Sequence, residues 1–460
     1  MNKILEEKKK EETRRVSIKE SAFSHITANS GDSYISAFIV ALTSNPLPIS
    51  FLSSFPAILS PIAQIYGSKL IESKSRKEIV TKFVFLQALM WLPIALMGFL
   101  FYKGILLTYL PYLVVLFYSI LAFLGGITGP AWFSWAGDIV DEKQRGAYFS
   151  RRNKIGGTVG LIVFIIGAFL LDLFKTIGIV SIGFSILFAV ACTSRLVAYM
   201  FFKKEYEPKF KLEKDYYFTF WQFVNRHGNF FKFTVFHSLL SFAMALAGPF
   251  FTAYMLLDLG FGYLTYTTVV LSSTLYYILF LPFVGRFSDN YGDKQLLYIS
   301  SILFALYPLL WFFIESPIVL IFLPQLIAGF ATAAFSIAVT NFVYSTVTPQ
   351  RRAICVAYMN VLIGIGVFIG AILGGIIVKT WHPSNINPIL FVFLVSAGLR
   401  FIVPIILIPK IEESKKAKKI SLLDFPAITK LITGEGRGLK ESIQQSLLMR
   451  LVLFNKAGKK

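Results

Sequence analysis

The sequence predicts an all-α integral membrane protein with twelve transmembrane helices arranged as two pseudo-symmetric six-helix bundles. The chain of 460 residues is 55% hydrophobic, has a mean hydropathy of +0.66 and is only 15% charged, against about 25% in soluble globular domains. Mainly apolar stretches recur along it at about 20 residues, the length that crosses the hydrocarbon core. A long polar break in the middle divides these stretches into two sets. A soluble fold could not bury so much apolar surface.

Six candidate spans precede the polar break and six follow it. Charged or turn-forming residues set each boundary. The spans of the first half lie near residues 23–43, 48–66, 80–101, 106–136, 154–174 and 177–201. The spans of the second half lie near 233–257, 263–286, 295–314, 317–346, 352–379 and 387–409.

The spans divide the chain into five segments. The first 20 residues are charged throughout and lack the apolar core and cleavage site of a secretory signal, so we expect them to stay on the chain. The segments are a cytoplasmic N-terminal segment (1–22), a first bundle (23–202), a cytoplasmic linker (203–232), a second bundle (233–410) and a basic cytoplasmic tail (411–460).

The basic residues predict the orientation. Of the 45 Lys and Arg residues, 40 fall in segments on the same side as the N-terminus, and Lys103, Lys175 and Lys379 fall on the other side. The positive-inside rule then places both termini in the cytoplasm of a multi-pass cell-membrane protein. Basic loops beside anionic lipid also explain the net charge of +20 without a nucleic-acid partner. We expect Arg195 and Arg400, near the cytoplasmic ends of their spans, to snorkel to the headgroups.

An internal repeat relates the two halves. An offset of 207 residues superposes Arg145 on Arg352 and Asn153 on Asn360, each pair joining the fourth helix of a half to the fifth. A weaker pair sets Gly67 against Gly285 between the second and third helices. Repeats of this kind are the usual construction of secondary transporters.

The loop between the eighth and ninth spans carries a recognisable motif. It contains Gly285, Asp289, Gly292 and Lys294, with glycines for close packing and a turn, an acid for capping or ion pairing, and a basic residue. With the topology, it resembles the loop motif of the major facilitator superfamily. A tight turn with solvated charges is the alternative interpretation.

The resemblance implies that these loops latch the two halves at the cytoplasmic side. The first-half copy at Gly67 departs from the pattern, with Ile71 in place of the acid, which puts its latch in question. Asp138 and Arg145 are expected to organise the fourth-to-fifth loop by capping and ion pairs, and Arg352 its second-half equivalent.

Close helix crossings are predicted by two sets of glycines. The eleventh span carries Gly366, Gly370 and Gly374 four residues apart, and the fifth carries Gly156 and Gly160. Such spacing lets helix backbones approach each other. It fits helices that slide during transport and equally fits a static bundle.

Asp32 is the acid that we place near the middle of a span. A charge at the centre of a membrane helix costs about 2.5–3.5 kcal/mol on insertion scales, which makes it a functional candidate. Asp32 could load and release a proton during transport, as a coupling residue. The alternatives are a structural partner for Arg151, Arg152 or Lys154, or a misplaced helix boundary.

Further candidates for the solute path come from the helices that line the cavity in this superfamily. Aromatic rings with a few amides suit a neutral or amphipathic solute. Trp132 and Trp135 are better explained as interfacial belt or packing residues, and a lone histidine is more often a satisfied polar contact. The candidates are Asn29, Gln64, Asn153, His237, Tyr276, Tyr277, Gln325, Asn341 and Asn360.

The sequence shows no catalytic constellation. The four histidines are scattered, no metal-ligand pair or phosphate-binding glycine loop is present, and we expect no cofactor and no metal. The predicted function is secondary active transport of a small solute by alternating access, with proton coupling as one option, in a monomer. The alternatives are a transporter-fold sensor without transport and a membrane-embedded enzyme acting on lipid-linked substrates.

Overall fold

The computed structural model describes residues 2–140, 145–208, 219–225, 228–381 and 385–413. Eleven helices within these ranges are long and apolar enough to cross a membrane. The first predicted span is helical too, but a π-helical turn divides it. All twelve predicted spans are therefore helices, which confirms the fold predicted from the sequence.

The first half contains six spans in seven α-helices. Its first span consists of α1, a π turn at Ala28–Asp32 and α2. The helices are α1 (Asn2–Thr27), α2 (Ser33–Leu42), α3 (Pro46–Leu70), α4 (Arg76–Tyr102), α5 (Leu110–Ile139), α6 (Arg145–Thr176) and α7 (Val180–Lys204).

The second half follows a short helix in the linker. Its seventh span consists of α9, α10 and a π turn at Tyr254–Asp258, and its tenth of α13 and α14. The helices are α8 (Phe220–Asn225), α9 (Asn229–Ala247), α10 (Phe250–Ala253), α11 (Tyr263–Tyr291), α12 (Asp293–Phe313), α13 (Pro317–Phe322), α14 (Pro324–Thr346), α15 (Pro349–Thr380) and α16 (Pro388–Leu407).

The predicted N-terminal segment is continuous with the first span. Helix α1 runs from Asn2 to Thr27 without a break at residue 22. Its polar residues Thr13, Ser17 and Glu20 are buried, because this part of α1 packs against α6 and α7. The segment is therefore part of the first bundle.

Glycines bring α15 against two other helices. Gly366, Gly370 and Gly374 lie against the main-chain carbonyls of Ser238, Phe242 and Leu246 on α9. This confirms the close approach predicted from their spacing and places it within the second half. On another side of α15, Gly364 and Gly375 lie against α3, at Ala57 and Ser50. The pair α3 and α15 thus joins the two halves.

A proline in α3 explains part of this close approach between α3 and α15. Pro61 has no N–H to donate to the carbonyl of Ala57, four residues before it. The freed carbonyl oxygen faces Gly364, where the absence of a side chain lets the helices touch.

The packing of the two halves differs between the two ends of the bundle. We call the end that holds the loops at 71–75, 205–208 and 347–348 the basic end. At the other end a single buried cluster combines residues of both halves, including Phe38 and Phe184 with Phe250 and Trp311. At the basic end the halves have separate clusters, apart from Ile65 of α3, which packs on the second-half cluster. The halves are therefore closed together at the opposite end and apart at the basic end.

Candidate functional site

Asp32 lies at the end of the π turn that divides the first span. π turns in helices occur frequently at functional sites. The side chain of Asp32 is exposed, so it borders open space. Tyr118 of α5 and Arg195 of α7 are the neighbouring groups that interact electrostatically with its carboxylate.

Arg195 points into the first half. Its Nε donates to Gln87 Oε1 at 3.0 Å, and its Nη1 donates to Ser24 Oγ at 3.0 Å. The prediction that Arg195 snorkels to the headgroups is wrong, because α1 and α4 offer it acceptors inside the bundle. Negative charge on Asp32 and Glu20 stabilises its positive charge there.

A buried ion pair continues this network towards the basic end. Arg152 Nη2 lies 2.7 Å from Glu20 Oε2, and Ser24 Oγ donates to Glu20 Oε1. The Arg152 guanidinium also lies over the Trp132 ring, 4.8 Å from its centroid. Arg152, one of the partners considered for Asp32, therefore pairs with Glu20 instead. Together with His25 and Gln87, these groups line a cavity of about 330 Å³.

A larger cavity of about 680 Å³ lies mainly within the second half. Two predicted path residues, Tyr277 and Gln325, line it, and Ser53 of α3 reaches it from the first half. Arg400 of α16 also lines it and is 2% exposed. The snorkelling prediction is therefore wrong for Arg400 as well.

Two predicted path residues meet between the halves. Asn360 Nδ2 of α15 donates to Gln64 Oε1 of α3 at 3.3 Å. The bond spans the joint that the glycines form and makes the pair an inter-half contact. Asn153 lies exposed on α6.

The remaining path candidates have packing or local partners in this conformation. Asn29 Nδ2 donates to the carbonyl of His25 at 2.9 Å, and its amide lies against Gly160. His237 packs edge-on to Phe335 at 4.9 Å, and its Nδ1 has no partner among the described residues. Tyr276 lies against Gly329.

Asn341 belongs to a hydrogen-bond network at the basic end. Its Nδ2 donates to Ser288 Oγ at 2.8 Å and to Asp293 Oδ1 at 2.9 Å. Asp293 is fully buried and thereby ties α12 to α11 and α14. The buried acid of this loop motif is thus Asp293, while the side chain of Asp289 lies outside the described part of the chain.

The motif glycines differ in their roles. Gly292 has φ of +87° between α11 and α12, which confirms the predicted turn. Gly285 meets a single neighbouring atom, at 3.9 Å on Ile337, so the predicted close packing is not made in this conformation. Gly67 lies against the main chain of Ile127 on α5, within its own half.

Arg76, which the sequence reasoning missed, holds the first-half loop. Its Nη1 lies 2.5 Å from Asp138 Oδ2 and its Nε 3.2 Å from Glu207 Oε1. Glu207 also accepts from the main-chain N of Arg76 at 2.9 Å. The predicted ion pair of Asp138 therefore exists, with Arg76 as the partner. The side chain of Arg145 lies outside the described part.

The second half repeats this arrangement at Lys294. Its main-chain N donates to Glu413 at 2.9 Å, and its Nζ donates to the carbonyl of Ile411 at 2.7 Å. The offset that sets Gly67 on Gly285 also sets Arg76 on Lys294, so the sequence held a signal for the pair. In each half, a basic residue at the start of the third helix therefore bonds to the segment that follows the sixth helix. The Arg352 guanidinium makes a local cation–π contact, 4.2 Å from the centroid of the Tyr344 ring.

We expect Arg76→Met to destabilise the protein. Arg76 is 1% exposed, whereas its partners Asp138 and Glu207 keep some exposure. Removing one partner of a buried pair costs about 3–5 kcal/mol. Because the partly exposed acids can relax towards solvent, we expect the loss in free energy of unfolding to lie at the lower end, about 3 kcal/mol. Thermal unfolding in detergent should show a clear decrease in Tm. Lys74→Met, which removes an exposed pair with Glu78, should change Tm little; equal effects would contradict this role for Arg76.

Asp172 closes the opposite end across the two halves. At the end of α6, its Oδ1 accepts from the main-chain N of Tyr263 at 2.6 Å and its Oδ2 accepts from that of Leu264 at 2.9 Å. A carboxylate at a helix N-terminus satisfies free N–H groups and interacts favourably with the helix dipole. Asp172 therefore caps α11 of the other half, a role that its position in the sequence did not indicate.

The second half of the chain resembles a known family in sequence. Residues 233–454 match the sequence model of the Major Facilitator Superfamily. The whole-chain fold agrees: the nucleoside transporter NupG superposes with a TM-score of 0.59 over 86% of this chain and 98% of that chain, at 18% identity. The second half of the chain is therefore similar in sequence to this superfamily, and the whole chain has the fold of a known transporter.

The chain is also similar to two other proteins, one in fold and one in part of its sequence. A D-xylose-proton symporter superposes with a TM-score of 0.63 over 89% of this chain and 98% of that chain, at 13% identity. The class H tetracycline resistance protein of Pasteurella multocida is 32% identical over 101 residues. That match spans 22% of this chain and 24% of the relative's length. No subfamily follows from these similarities.

Proposed function

We propose that this protein is a secondary transporter of the major facilitator superfamily that moves a small solute across the cell membrane by alternating access. The arrangement of the buried clusters carries the proposal: one cluster joins the halves at the opposite end, and separate clusters leave them apart at the basic end. A transporter needs such a one-sided closure around a site between its ends.

The orientation follows from charge. We place the basic end in the cytoplasm, because most Lys and Arg residues lie in its segments. The structure then corresponds to an inward-facing state, with both termini in the cytoplasm. In the outward-facing state the cap of Asp172 on α11 would open, and Gly285 would gain a packing partner.

We assign separate tasks to the two polar regions. The large cavity of the second half is the candidate solute site, since about 680 Å³ falls in the usual range for small-molecule sites of about 300–1,000 Å³. The Asp32–Arg195 pair is the candidate coupling site. An acid that borders open space beside a cation can exchange a proton while the cation stabilises its ionised form.

Flux through proteoliposomes with an imposed pH gradient tests this function. The solute panel comprises sugars, nucleosides, amino acids, organic acids and drugs, and protein-free vesicles serve as the control. We expect saturable, gradient-dependent flux of one solute class. Absence of flux for every class, with folded protein in the vesicles, would favour a sensor or an enzyme over a transporter.

A further inference from the structure

Arg400 is held inside the second half by main-chain carbonyls. Its Nη1 donates to the carbonyl of Phe304 at 3.0 Å, and its Nη2 donates to that of Met244 at 3.2 Å. The Phe304 carbonyl is free to accept because Pro308, four residues later, has no N–H. Arg400 Nε has no partner among the described residues.

This guanidinium has no protein counterion in the described part of the chain. The residues that line its cavity include no Asp or Glu, and no described carboxylate forms a salt bridge or a resolved charge interaction with it. Arg195, its counterpart in the first half, differs because Glu20 and Asp32 act on it. The two halves therefore place corresponding arginines in opposite electrostatic settings.

A buried charge is costly unless it is paired. Two carbonyl dipoles satisfy hydrogen bonds of Arg400 but do not neutralise its charge. Since it lines the large cavity, an anion that enters the cavity can supply the missing counterion, and a guanidinium suits carboxylate and phosphate groups.

The rest of the cavity wall indicates what carries the anionic group. Phe251 and Tyr307 have their ring centroids 4.9 Å apart, and Tyr277 of α11 lines the same cavity together with small hydroxyl residues. Gln325 Nε2 lies 3.5 Å from the Tyr307 hydroxyl. Such a wall suits a ring or short hydrocarbon body with few polar groups.

We propose that the large cavity binds an organic anion, a carboxylate or phosphate monoester on an aromatic or hydrocarbon body, with Arg400 as its counterion. The proposal rests on the assignment of this cavity as the solute site. The substrate would then be an anion bound in the second half, while the charged groups of the first half interact with one another.

Calorimetric titration of the detergent-purified protein tests the proposal without requiring transport. The probes are benzoate, octanoate and phenyl phosphate, with benzyl alcohol and benzylamine as the neutral and cationic analogues of the aromatic anions. We expect at least one anion to bind and its analogues to bind at least about tenfold more weakly, since a hydrogen bond to a charged group contributes about 1.5–3 kcal/mol. Comparing benzoate with phenyl phosphate distinguishes the two acid groups.

Variants assign the binding to Arg400. Arg400→Gln should weaken anion binding at least about tenfold, Arg400→Lys should retain part of it, and exposed Arg351→Gln should leave it unchanged as a matched loss of charge. A thermal unfolding curve for each variant verifies folding. If no anion binds, if benzyl alcohol binds as tightly as benzoate, or if Arg400→Gln binds benzoate normally, the proposal is wrong.

The outcomes separate this proposal from the transport proposal. Anion binding without flux in proteoliposomes would support the site and contradict transport. Flux of a neutral solute with no anion binding would support transport and contradict the site.

Discussion

Asp32→Asn should abolish pH-gradient-driven accumulation of the solute and leave downhill exchange in place. Asparagine keeps the size of the side chain beside Tyr118, but it cannot take up and release a proton. A pH difference of one unit supplies about 1.4 kcal/mol per proton, enough for about tenfold accumulation. We expect this whole factor to be lost, measured as internal over external solute in proteoliposomes.

A second acid in a similar setting provides the control. Asp258 ends the π turn of the seventh span and is exposed beside Asn387 at the opposite end. Asp258→Asn removes an equal charge at a site distant from Arg195, so accumulation should persist. Normal accumulation by Asp32→Asn would give Asp32 a structural role, and loss of exchange as well as accumulation would indicate a folding defect.

Asp172→Ala should shift the protein towards the outward-open state. The substitution removes two carboxylate hydrogen bonds to the N-terminus of α11, contacts that can exist only while the opposite end is closed. Their loss costs that state about 1–3 kcal/mol, which corresponds to about a 5- to 150-fold change in the ratio of the two states.

Spin labels across the opposite end measure this shift. Labels at Lys103 of the first half and Ser316 of the second both sit at exposed positions, and the two native cysteines are buried. Asp172→Ala should enrich the longer distances between these labels. Thr176→Ala, one turn further along the same helix, removes a local bond to the Leu173 carbonyl and should alter the distribution much less; equal shifts would show that Asp172 is not the closing contact.

The spans, the repeat and the interior acid were predictable because each leaves a local signal. Apolar runs of membrane length mark the helices, and the four-residue spacing of Gly366, Gly370 and Gly374 marked a close crossing. Asp32 stood out because an acid in an apolar run is costly. The π turn beside it had no such signal in the sequence.

The charge network was not predictable, since it depends on which face of a helix meets which neighbour. Arg195 and Arg400 sit at depths from which side chains can reach headgroups. They turn inward because Gln87 and the Phe304 carbonyl, on other helices, offer acceptors. Asp172 looked like an ordinary residue at a span end, and only the packing of the halves places it on α11.

The loop motif shows an intermediate case. The resemblance placed a latch in the loop after the eighth span and left the first-half copy in question. In the structure, Arg76 and Lys294 make equivalent contacts within their own halves, and these contacts do not form the predicted latch between the halves. The offset that sets Gly67 on Gly285 also pairs Arg76 with Lys294, whereas the acid of the loop motif indicated Asp289.

Distance distributions at both ends of the wild-type bundle show whether the protein opens its two ends in alternation. One label pair, at Ser73 and Thr348, reports on the basic end, and the other, at Lys103 and Ser316, reports on the opposite end; all four positions are exposed. We predict two populations in reconstituted protein, such that conditions that lengthen one distance shorten the other. Both distances fixed in single populations under every pH gradient and solute would contradict alternating access.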